Sequence, residues 1–374
     1  MIPFNKPYLS GNEIDYISQS IRLGKISGDG MFTKKCHGFF ESTYGFKKAL
    51  LTTSCTHALE MAAILIDIKP GDEVIMPAYT FVSTANAFVL RGAKVIFADS
   101  NAFNPNMDVE LIESLITPKT KAIVPVHYAG IACDMDKIMA LAEKYNLYVI
   151  EDAAQGIESF YKGKRLGSIG HMAAFSFHET KNVICGEGGL LAINDEKFTE
   201  RAEIIREKGT NRSRFFRGEV DKYGWVDIGS SYLPSDMLGA YLYAQLENIA
   251  AIQEKRKKIW DMYFQALKPL EAIGIGLPHI NDFATNNAHM FYLVCTDIEQ
   301  RSGLIMALKN DDIHAVFHYL SLQSSPYFQE HHDGRSLQNS DRYTDCLVRL
   351  PFYYELSDED MRLICGKILS YFNL

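Results

Sequence analysis

The chain has 374 residues, 47% of them hydrophobic and 22% charged, so it has the length for two domains and the apolar content for a sizeable core. It is therefore neither a small binding module nor a disordered chain. Its 38 basic and 46 acidic residues leave a net charge of −8, which excludes a general basic surface for nucleic acid or anionic membranes.

Seven cysteines are present, an odd number, and no two of them form a C-x-x-C pair. This spacing argues against a disulfide framework and a structural zinc site, and for a reducing compartment. No signal-peptide stretch is apparent, and no run approaches the roughly 18 apolar residues of a membrane span. We expect a cytoplasmic protein without a metal site or a membrane segment.

From Lys48 to about Asp195 the chain repeats one pattern: a short apolar run, turn residues, and a segment with helical periodicity. Apolar strands that alternate with helices are typical of a mostly parallel sheet covered on both faces. The predicted strands are 49–53, 73–76, 94–98, 122–126, 148–150, 173–177 and 190–193. Ligands of such sheets bind beyond the carboxyl ends of the strands, so the residues that follow each strand are the candidates for chemistry.

The first candidate follows strand 49–53, where small hydroxyl residues lead into a helix near Ser54. Ser54 is suited to cap that helix, and the free N–H groups of a helix N-terminus can hold a phosphate. Many helices carry such a cap without any ligand. The turn alone therefore leaves both interpretations open.

The second candidate is a pair of acids, Glu151 and Asp152, directly after strand 148–150. An acid at the end of a central strand is costly to bury unless it meets a cation. A helix cap or a surface turn would explain the pair equally well.

The third candidate is Lys181, which follows strand 173–177 and precedes a glycine-rich turn at 186–189. Glycines allow another part of the backbone to pass close by. A lone lysine, however, is usually solvated. His127 and His178 also follow strands, and we expect them to support the site.

Beyond Ser235 the pattern changes to one long helical stretch with its apolar residues on a single face. These residues are Leu246, Ile249, Ile252, Ile259 and Tyr263. Two shorter apolar runs, 289–294 and 315–317, follow between helix-like segments. The change indicates a large domain of residues 1–246 and a smaller α+β domain of residues 247–374.

The three candidates become informative together, because one cofactor needs all of them. Pyridoxal phosphate requires a lysine for a Schiff base, a carboxylate for its pyridinium nitrogen and an anion site for its phosphate. Lys181, Asp152 and the turn at Ser54 supply these groups. Glu151 points to the opposite face of its strand, so Asp152 is the predicted partner of the ring, and Phe81 offers an aromatic side chain to stack on it.

These motifs resemble those of the DegT/DnrJ/EryC1/StrS sugar aminotransferases, and the similarity covers almost the whole chain. It is carried by Ser54-Cys55-Thr56, 77–81, 151–155, 176–181 and 186–189. The resemblance implies an α/β fold of the fold-type I aminotransferase architecture, with a mostly parallel sheet, and pyridoxal 5'-phosphate as cofactor. It also implies a homodimer with a shared active site.

The resemblance assigns a role to each residue around the cofactor ring. Lys181 would form the Schiff base and then move the proton, while Asp152 would pair with the pyridinium. Gln155 would lie by the ring oxygen, and Phe81 would cover a ring face. Dehydratases built on this scaffold carry histidine in place of the lysine, so Lys181 favours transamination.

The resemblance also implies a set of phosphate contacts. Ser176 and the backbone N–H groups of Cys55 and Thr56 would hold the phosphate. Ser231 stands where many members have an asparagine donated by the partner subunit. Because serine is shorter, this contact would be lost or made through water.

Within the family, segments 207–212 and 229–233 and the Cys55 variant are most similar to the enzymes that aminate dTDP-4-dehydro-6-deoxy-D-glucose. This implies glutamate as amino donor and a dTDP-4-amino-4,6-dideoxyhexose, the galactose form, made for surface polysaccharide. The candidate substrate contacts are Lys25, Lys208 and Arg212 for the diphosphate and His318 and Tyr319 for the sugar. A solvated surface would explain the three cations equally well, and a domain interface would explain His318.

Two alternatives stay open. A 3-aminotransferase acting on a 3-keto isomer of the same nucleotide sugar needs the same cofactor residues, so the motifs do not separate the two reactions. A noncatalytic regulatory homologue would be expected to have lost at least one cofactor contact. Lys181, Asp152 and the phosphate turn are all present, which favours an enzyme.

Overall fold

A computed structural model describes all 374 residues of the chain. Its strands are β1 (Lys48–Thr52), β2 (Glu73–Pro77), β3 (Lys94–Ala98), β4 (Thr120–Ile123), β5 (Tyr148–Asp152), β6 (Phe160–Tyr161), β7 (Lys164–Arg165), β8 (Met172–Ser176), β9 (Gly189–Ile193), β10 (Tyr292–Val294), β11 (Val316–Phe317) and β12 (Leu347–Arg349).

The α-helices are α1 (Glu13–Arg22), α2 (Met31–Tyr44), α3 (Cys55–Leu65), α4 (Val82–Val89), α5 (Val109–Leu115), α6 (Met135–Tyr145), α7 (Thr199–Arg206), α8 (Arg212–Phe216), α9 (Asp236–Glu247), α10 (Ile249–Leu267), α11 (Ile298–Asn310), α12 (Gln338–Cys346) and α13 (Asp358–Tyr371). Short 3₁₀ helices occupy Tyr128–Gly130, Glu196–Phe198, Lys268–Ile273 and Leu322–Ser324.

Seven strands form one sheet in the order β1-β9-β8-β5-β4-β2-β3. Only β9 runs antiparallel, against both β1 and β8, and the other pairs are parallel. Six strands therefore point the same way, and their carboxyl ends lie along one edge. The mostly parallel sheet predicted from the sequence is confirmed, because all seven predicted runs belong to it.

Helices cover both faces of this sheet because its strands carry apolar side chains on both sides. On one face, Met172 and Ala174 of β8 pack with α3, α4 and α7. On the other face, Ala173 and Phe175 of the same strand pack with α2 and α9. Alternate side chains of one strand thus belong to two separate cores.

Strand β4 ends at Ile123, short of the predicted end at Val126. The reason is Pro125, which has no N–H to donate to a neighbouring strand. Val126 then forms only an isolated bridge with Asp152, and His127 donates its backbone N–H to the Asp152 carbonyl (3.2 Å). The break places His127 beside the end of β5.

The single long helix predicted after Ser235 is wrong, because two helices, α9 and α10, meet at Asn248. The Asn248 side chain donates to the carbonyl of Ala244 (3.0 Å) and its N–H bonds to the last turn of α9, which ends that helix. Of the residues predicted on its buried face, Leu246, Ile252, Ile259 and Tyr263 are buried and Ile249 is half-buried.

The C-terminal part contains a second, antiparallel sheet in the order β10-β12-β11. Helices α10, α11 and α13 pack against it, and Ile2 from the other end of the chain joins the same core. In return, Leu322, Phe328 and Leu337 pack into the core of the large sheet. These exchanges bring β12 close to the carboxyl edge of that sheet.

All seven cysteines are unpaired thiols, and Cys55 is the one that is not fully buried. None of the helices has the combination of length and apolar character that crossing a bilayer demands.

Candidate active site

The carboxyl edge of the large sheet collects the residues predicted to carry the chemistry. Strand β1 ends before the Ser54 turn, β5 ends at Asp152, and β8 ends at Ser176 and leads to Lys181. Because these strands run in the same direction, the turn, the carboxylate and the lysine meet at one place. This is the edge at which α/β sheets bind their ligands.

Asp152 is a buried carboxylate with few partners, and only 5% of its surface is exposed. Thr84 donates its hydroxyl to Oδ2 (2.7 Å), and Ala154 donates its N–H to Oδ1 (3.1 Å). Burial raises the pKa of this carboxyl. Since a buried carboxylate without an ion pair is costly, the site suits a ligand that brings its own cation.

Lys181 lies in the turn after β8, where its backbone N–H donates to the carbonyl of His178 (2.9 Å). Burial lowers the pKa of its amine to about 8, against the opposing effects of Cys55 and Asp152. Only the free amine is a nucleophile or a base. Lys181 is therefore more reactive near neutral pH than a solvated lysine would be.

The turn before α3 is built to receive an anion. Ser54 caps the helix with its hydroxyl, and the first intrahelical bond runs from Ala58 N–H to the Ser54 carbonyl. The N–H groups of Cys55 and Thr56 precede that bond and have no acceptor within the helix. A Cβ at Gly189 of β9 would overlap the backbone of this turn, so the glycine permits the close approach.

An aromatic wall, defined here as Tyr79, Tyr128, His318 and Tyr319, adjoins Gln155, which follows the end of β5. Tyr128 Oη and His318 Nδ1 share a hydrogen bond of 2.7 Å, and the rings of His318 and Tyr319 stack with centroids 3.6 Å apart. Burial lowers the pKa of His318 well below its usual value, so this histidine is neutral at pH 7.

Tyr319 has a left-handed backbone conformation (φ 50°), which bulky residues rarely adopt and which costs energy that the surrounding structure must supply. Its hydroxyl accepts a hydrogen bond from Gln155 Nε2 (3.2 Å), while Gln155 Oε1 accepts the N–H of Ala129 (2.6 Å). Phe81, at the start of α4, is 55% exposed, with its ring 6.1 Å from that of Tyr319. Gln155 is thus fixed within the site, and Phe81 stands at its open side.

Ser176 is half-buried at the end of β8, where its hydroxyl accepts the backbone N–H of His178 at the long distance of 3.4 Å. His178 itself is half-exposed, and its Nδ1 shares a hydrogen bond with Thr180 (2.9 Å). The Ser176 hydroxyl therefore remains available to a ligand.

Four predicted contacts have no side-chain hydrogen bond to this cluster within one copy of the chain. They are Lys25, Lys208, Arg212 and Ser231, and all four are exposed. The Lys25 amine donates to the carbonyl of Asp29 (2.9 Å), and Arg212 lies over the ring of Phe216 (5.1 Å). The Ser231 segment adjoins the phosphate turn through Tyr232, whose carbonyl accepts the N–H of Thr53 (3.1 Å).

Two residues of the site were missed in the sequence. Thr84 holds Asp152, and its position three residues after Phe81, the residue that precedes α4, was the available signal. Arg349, at the end of β12, affects the pKa of Lys181. No local motif marks Arg349, since its place depends on the packing of the second sheet.

The donor set of the site fits pyridoxal phosphate. The free N–H groups at the start of α3 suit a phosphate. The buried carboxylate of Asp152 suits a protonated ring nitrogen, and Lys181, with its lowered pKa, suits a reactive carbonyl.

Comparison with known proteins agrees with this geometry. The structure is similar to that of the aminotransferase from Psychrobacter cryohalolentis, with a TM-score of 0.93, 26% identity and 99% of both chains covered. It is similar to Spr1654 from Streptococcus pneumoniae in its PLP form, with a TM-score of 0.89, 26% identity and coverage of 99% and 98%. The spore coat polysaccharide biosynthesis protein SpsC of Bacillus subtilis is 32% identical over 369 residues, which cover 96% of this chain and 94% of SpsC.

Fold and site together define a pyridoxal phosphate-dependent aminotransferase. The model of the DegT/DnrJ/EryC1/StrS aminotransferase family matches residues 7–369, and the chain belongs to this family. The predicted family, fold, cofactor and class of enzyme are therefore confirmed.

Proposed function

We propose that this enzyme transfers the amino group of glutamate to the 4-keto carbon of dTDP-4-dehydro-6-deoxy-D-glucose. The product would be a dTDP-4-amino-4,6-dideoxyhexose, in the galactose form, for surface polysaccharide. The observation that carries the proposal is the aromatic wall, whose polar tips on Tyr128, His318 and Tyr319 offer a hydroxyl-rich ring both stacking and hydrogen bonds. SpsC, named for spore coat polysaccharide biosynthesis, supports the same class of substrate.

Lys181 and Asp152 would carry the catalysis. Pyridoxal phosphate supplies, when bound, an electron sink for the carbon that loses its proton. Asp152 would accept the N–H of the ring nitrogen and so keep that nitrogen protonated. Lys181, once released from the cofactor, would take the proton from the donor carbon and return one during the second half of the reaction.

The remaining cofactor contacts follow from the same edge of the sheet. We assign the phosphate to the Ser176 hydroxyl and to the N–H groups of Cys55 and Thr56. Phe81 would cover the ring from the open side, and Gln155 would lie at the ring oxygen.

We propose that the enzyme works as a homodimer with shared active sites. The segment that carries Lys208, Arg212 and Ser231 also exposes large apolar side chains. These are Phe216 (68% exposed), Trp225 (83%), Val226 (55%) and Ile228 (42%). Such a patch is unusual for a monomer, and covering it with a second copy would let Ser231, Lys25, Lys208 and Arg212 reach the phosphates of the partner's ligands.

Two features of the whole chain complete the proposal. The division into domains would fall between residues 246 and 247, beside the helix break at Asn248, with the smaller domain closing over the cofactor. The seven unpaired thiols favour a reducing compartment, and we place the enzyme in the cytoplasm.

The test is to incubate the enzyme and pyridoxal phosphate with dTDP-4-dehydro-6-deoxyglucose and glutamate, and to assign the aminated carbon of the product by NMR. We expect an axial amine at C4. No product, or product only after a 3,4-ketoisomerase is added, would favour the 3-aminotransferase instead.

A further inference from the structure

A buried polar cluster adjoins the turn that carries Lys181. It consists of Asn182, Gln253, Asn287 and His289, each of them at most 6% exposed. Asn182 follows Lys181 in the chain. Gln253 belongs to α10, and the other two residues precede β10. The cluster therefore joins the lysine turn of the large sheet to the C-terminal part of the chain.

The side-chain amide of Asn182 uses all of its hydrogen-bonding capacity in this cluster. Its Nδ2 donates to the backbone carbonyl of Asn287 (2.8 Å) and to Gln253 Oε1 (2.9 Å). A backbone carbonyl only accepts, so the amide nitrogen must lie on that side. The Asn182 Oδ1 atom is left to face His289 Nδ1, at 2.9 Å.

This arrangement fixes the state of the His289 ring. Because Asn182 Oδ1 accepts, His289 Nδ1 carries the proton and Nε2 carries the lone pair. Burial lowers the pKa of His289 well below its usual value, and the positive charge of Lys181 acts in the same direction. His289 is therefore a neutral imidazole that donates a hydrogen bond to Asn182.

The Asn287 side chain holds the segment to which His289 belongs. Its Nδ2 donates to the backbone carbonyls of Gln155 (2.7 Å) and Ile157 (2.8 Å). Its Oδ1 accepts the backbone N–H of His289 (3.0 Å). A Cβ at Gly130 would overlap this amide, so the glycine permits the contact. The segment is thus bonded to the chain after β5 as well as to the lysine turn.

The backbone of the same segment is held from α10. Arg256 donates from Nε to the carbonyl of Ala288 (3.0 Å) and from Nη2 to that of His289 (2.7 Å). Ala288 has a left-handed conformation (φ 52°), which costs energy that the surrounding bonds must supply. His289 therefore reaches Asn182 from a rigid support.

We infer that His289 and Asn182 are positioning residues for Lys181. The inference rests on the proposed role of Lys181 in catalysis. Asn182 is the next residue in the chain, so a bond that fixes its side chain also restricts the backbone from which the lysine extends. A displacement of about 1 Å can lower a rate by about 10²-fold. Loss of the bond from His289 should therefore reduce the rate and spare substrate affinity.

Two substitutions of His289 separate the bond to Asn182 from the mere presence of a polar side chain. His289→Asn keeps an amide nitrogen near the place of Nδ1, so it can still donate to Asn182. His289→Gln is one bond longer and places its amide nearer to Nε2, so that donor is lost. Neither changes the charge, because the ring is neutral. His331→Gln, at an exposed histidine, is the control.

The two half-reactions are measured separately. Loss of the visible cofactor band after glutamate is added reports the first. Its return when the keto sugar is added to enzyme loaded with pyridoxamine phosphate reports the second. For His289→Gln, we expect both saturated rates to fall about 10- to 100-fold. The half-saturating concentrations of glutamate and keto sugar should change less than about threefold, and His289→Asn should keep its rates within about threefold of the wild type.

The pKa of Lys181 gives a readout that needs no turnover. Burial lowers it to about 8, with Arg349 acting in the same direction and Cys55 and Asp152 against it. If the turn loosens in His289→Gln, water reaches the amine and its pKa should rise by about one unit toward the ordinary value. The pH midpoint of band formation on cofactor-free protein should rise with it. In His289→Asn the midpoint should stay where it is in the wild type.

Equal losses in His289→Asn and His289→Gln would overturn the inference, because the bond to Asn182 would then not be the cause. So would wild-type rates in His289→Gln, or half-saturating concentrations that rise as much as the rates fall. Should His289→Gln fold poorly, Gln253→Met removes another partner of Asn182 at similar volume. It should give a smaller loss of the same kind, and wild-type rates there would also overturn the inference.

The inference and the proposed function fail in different ways. The glutamate half-reaction and the pH midpoint need no sugar, so the test stands if the enzyme aminates no 4-keto sugar. If Lys181→Ala keeps the visible band, the role of Lys181 fails, and the inference fails with it. Wild-type behaviour of His289→Gln alongside a colourless Lys181→Ala would refute the inference alone.

Discussion

Two neighbouring carboxylates on β5 meet opposite environments. Glu151 is fully buried and accepts hydrogen bonds from His127 Nε2 (2.9 Å) and from three backbone N–H groups. These belong to Gly167 (2.7 Å), Ile169 (2.8 Å) and Gly170 (2.6 Å). Asp152, on the other face of the strand, has one hydroxyl and one N–H. The chain therefore supplies Glu151 with four hydrogen-bond donors and Asp152 with only two.

The pKa values of the two groups record this difference. Burial acts to raise the pKa of Glu151, but His127 and the backbone N–H groups outweigh it and leave the pKa lowered. Burial prevails at Asp152 and raises its pKa. A buried charge satisfied by its own chain holds the fold together, whereas one that lacks partners is kept for a ligand.

The largest effect is expected at Lys181, which, like Asp152, is assigned to the cofactor and not to the fold. Lys181→Ala removes both the amine that bonds to the cofactor and the base, so transamination should fall by about 10⁴-fold or more. The visible absorbance of the purified enzyme should disappear with it. Lys164→Ala, which removes an exposed lysine from β7, is the control. A variant that keeps the band would show that another amine holds the cofactor.

Asp152→Asn should have the next largest effect. The asparagine cannot balance a positive ring nitrogen, so the electron sink fails and the transamination rate should drop by about 10³-fold. The cofactor should still bind, more weakly by about 1.5–3 kcal/mol for the lost charge-assisted hydrogen bond. Rates and cofactor titrations are compared with Asp136→Asn, which changes an exposed carboxylate. Wild-type activity in Asp152→Asn would refute the assignment.

The residues of this comparison differ in how visible they were in the sequence. Asp152 and Lys181 follow apolar strands, and the sheet gathers strand ends at one edge, so a local pattern was enough to predict them. Arg349 reaches the same pocket through the packing of a second sheet, and no local pattern encodes such a long-range approach. In the proposed homodimer, Ser231 and Arg212 would act in the site of a second copy of the chain, which no local pattern reveals.

The fold, too, could be predicted only where a local pattern encodes it. All seven strands of the large sheet were predictable, because buried parallel strands are short apolar runs between turns. The break at Asn248 was not, since the same apolar spacing continues across it and only the side-chain bond to Ala244 ends α9. Pro125 was a visible signal for the early end of β4.

On the face of β5 that carries Glu151, the substitution Glu151→Gln should cost about 3 kcal/mol of stability. The reason is that the amide presents a donor to groups that are themselves donors. The measurement is the urea midpoint of unfolding. Glu110→Gln, at an exposed ion pair with Lys137, should cost less than about 0.5 kcal/mol. The folded Glu151→Gln enzyme should still bind cofactor. Loss of the cofactor band with unchanged stability would reverse the roles of the two acids.

The pKa of Lys181, about 8, sets a pH dependence for cofactor uptake. The free amine attacks the carbonyl, so the initial rate of band formation, measured on cofactor-free protein, should rise about tenfold per pH unit below that value and level off above it. A rate that keeps climbing to about pH 10 would indicate an ordinary solvated lysine.

The smallest effect tests the comparison most directly, because the two carboxylates should change stability with opposite signs. Glu151, with a lowered pKa, stabilises the fold at neutral pH, and this is lost as the pH falls through its folded value. Asp152, with a raised pKa, favours the fold only while protonated, and this stabilisation is lost as the pH rises through the pKa of the folded state.

Cofactor-free Asp152→Asn should therefore be more stable than the wild type at pH 7, by about 1 kcal/mol. Saturating pyridoxal phosphate should reverse the order, since the wild type binds it more tightly. If cofactor-free Asp152→Asn were instead the less stable protein, the carboxylate would be one that the fold itself needs.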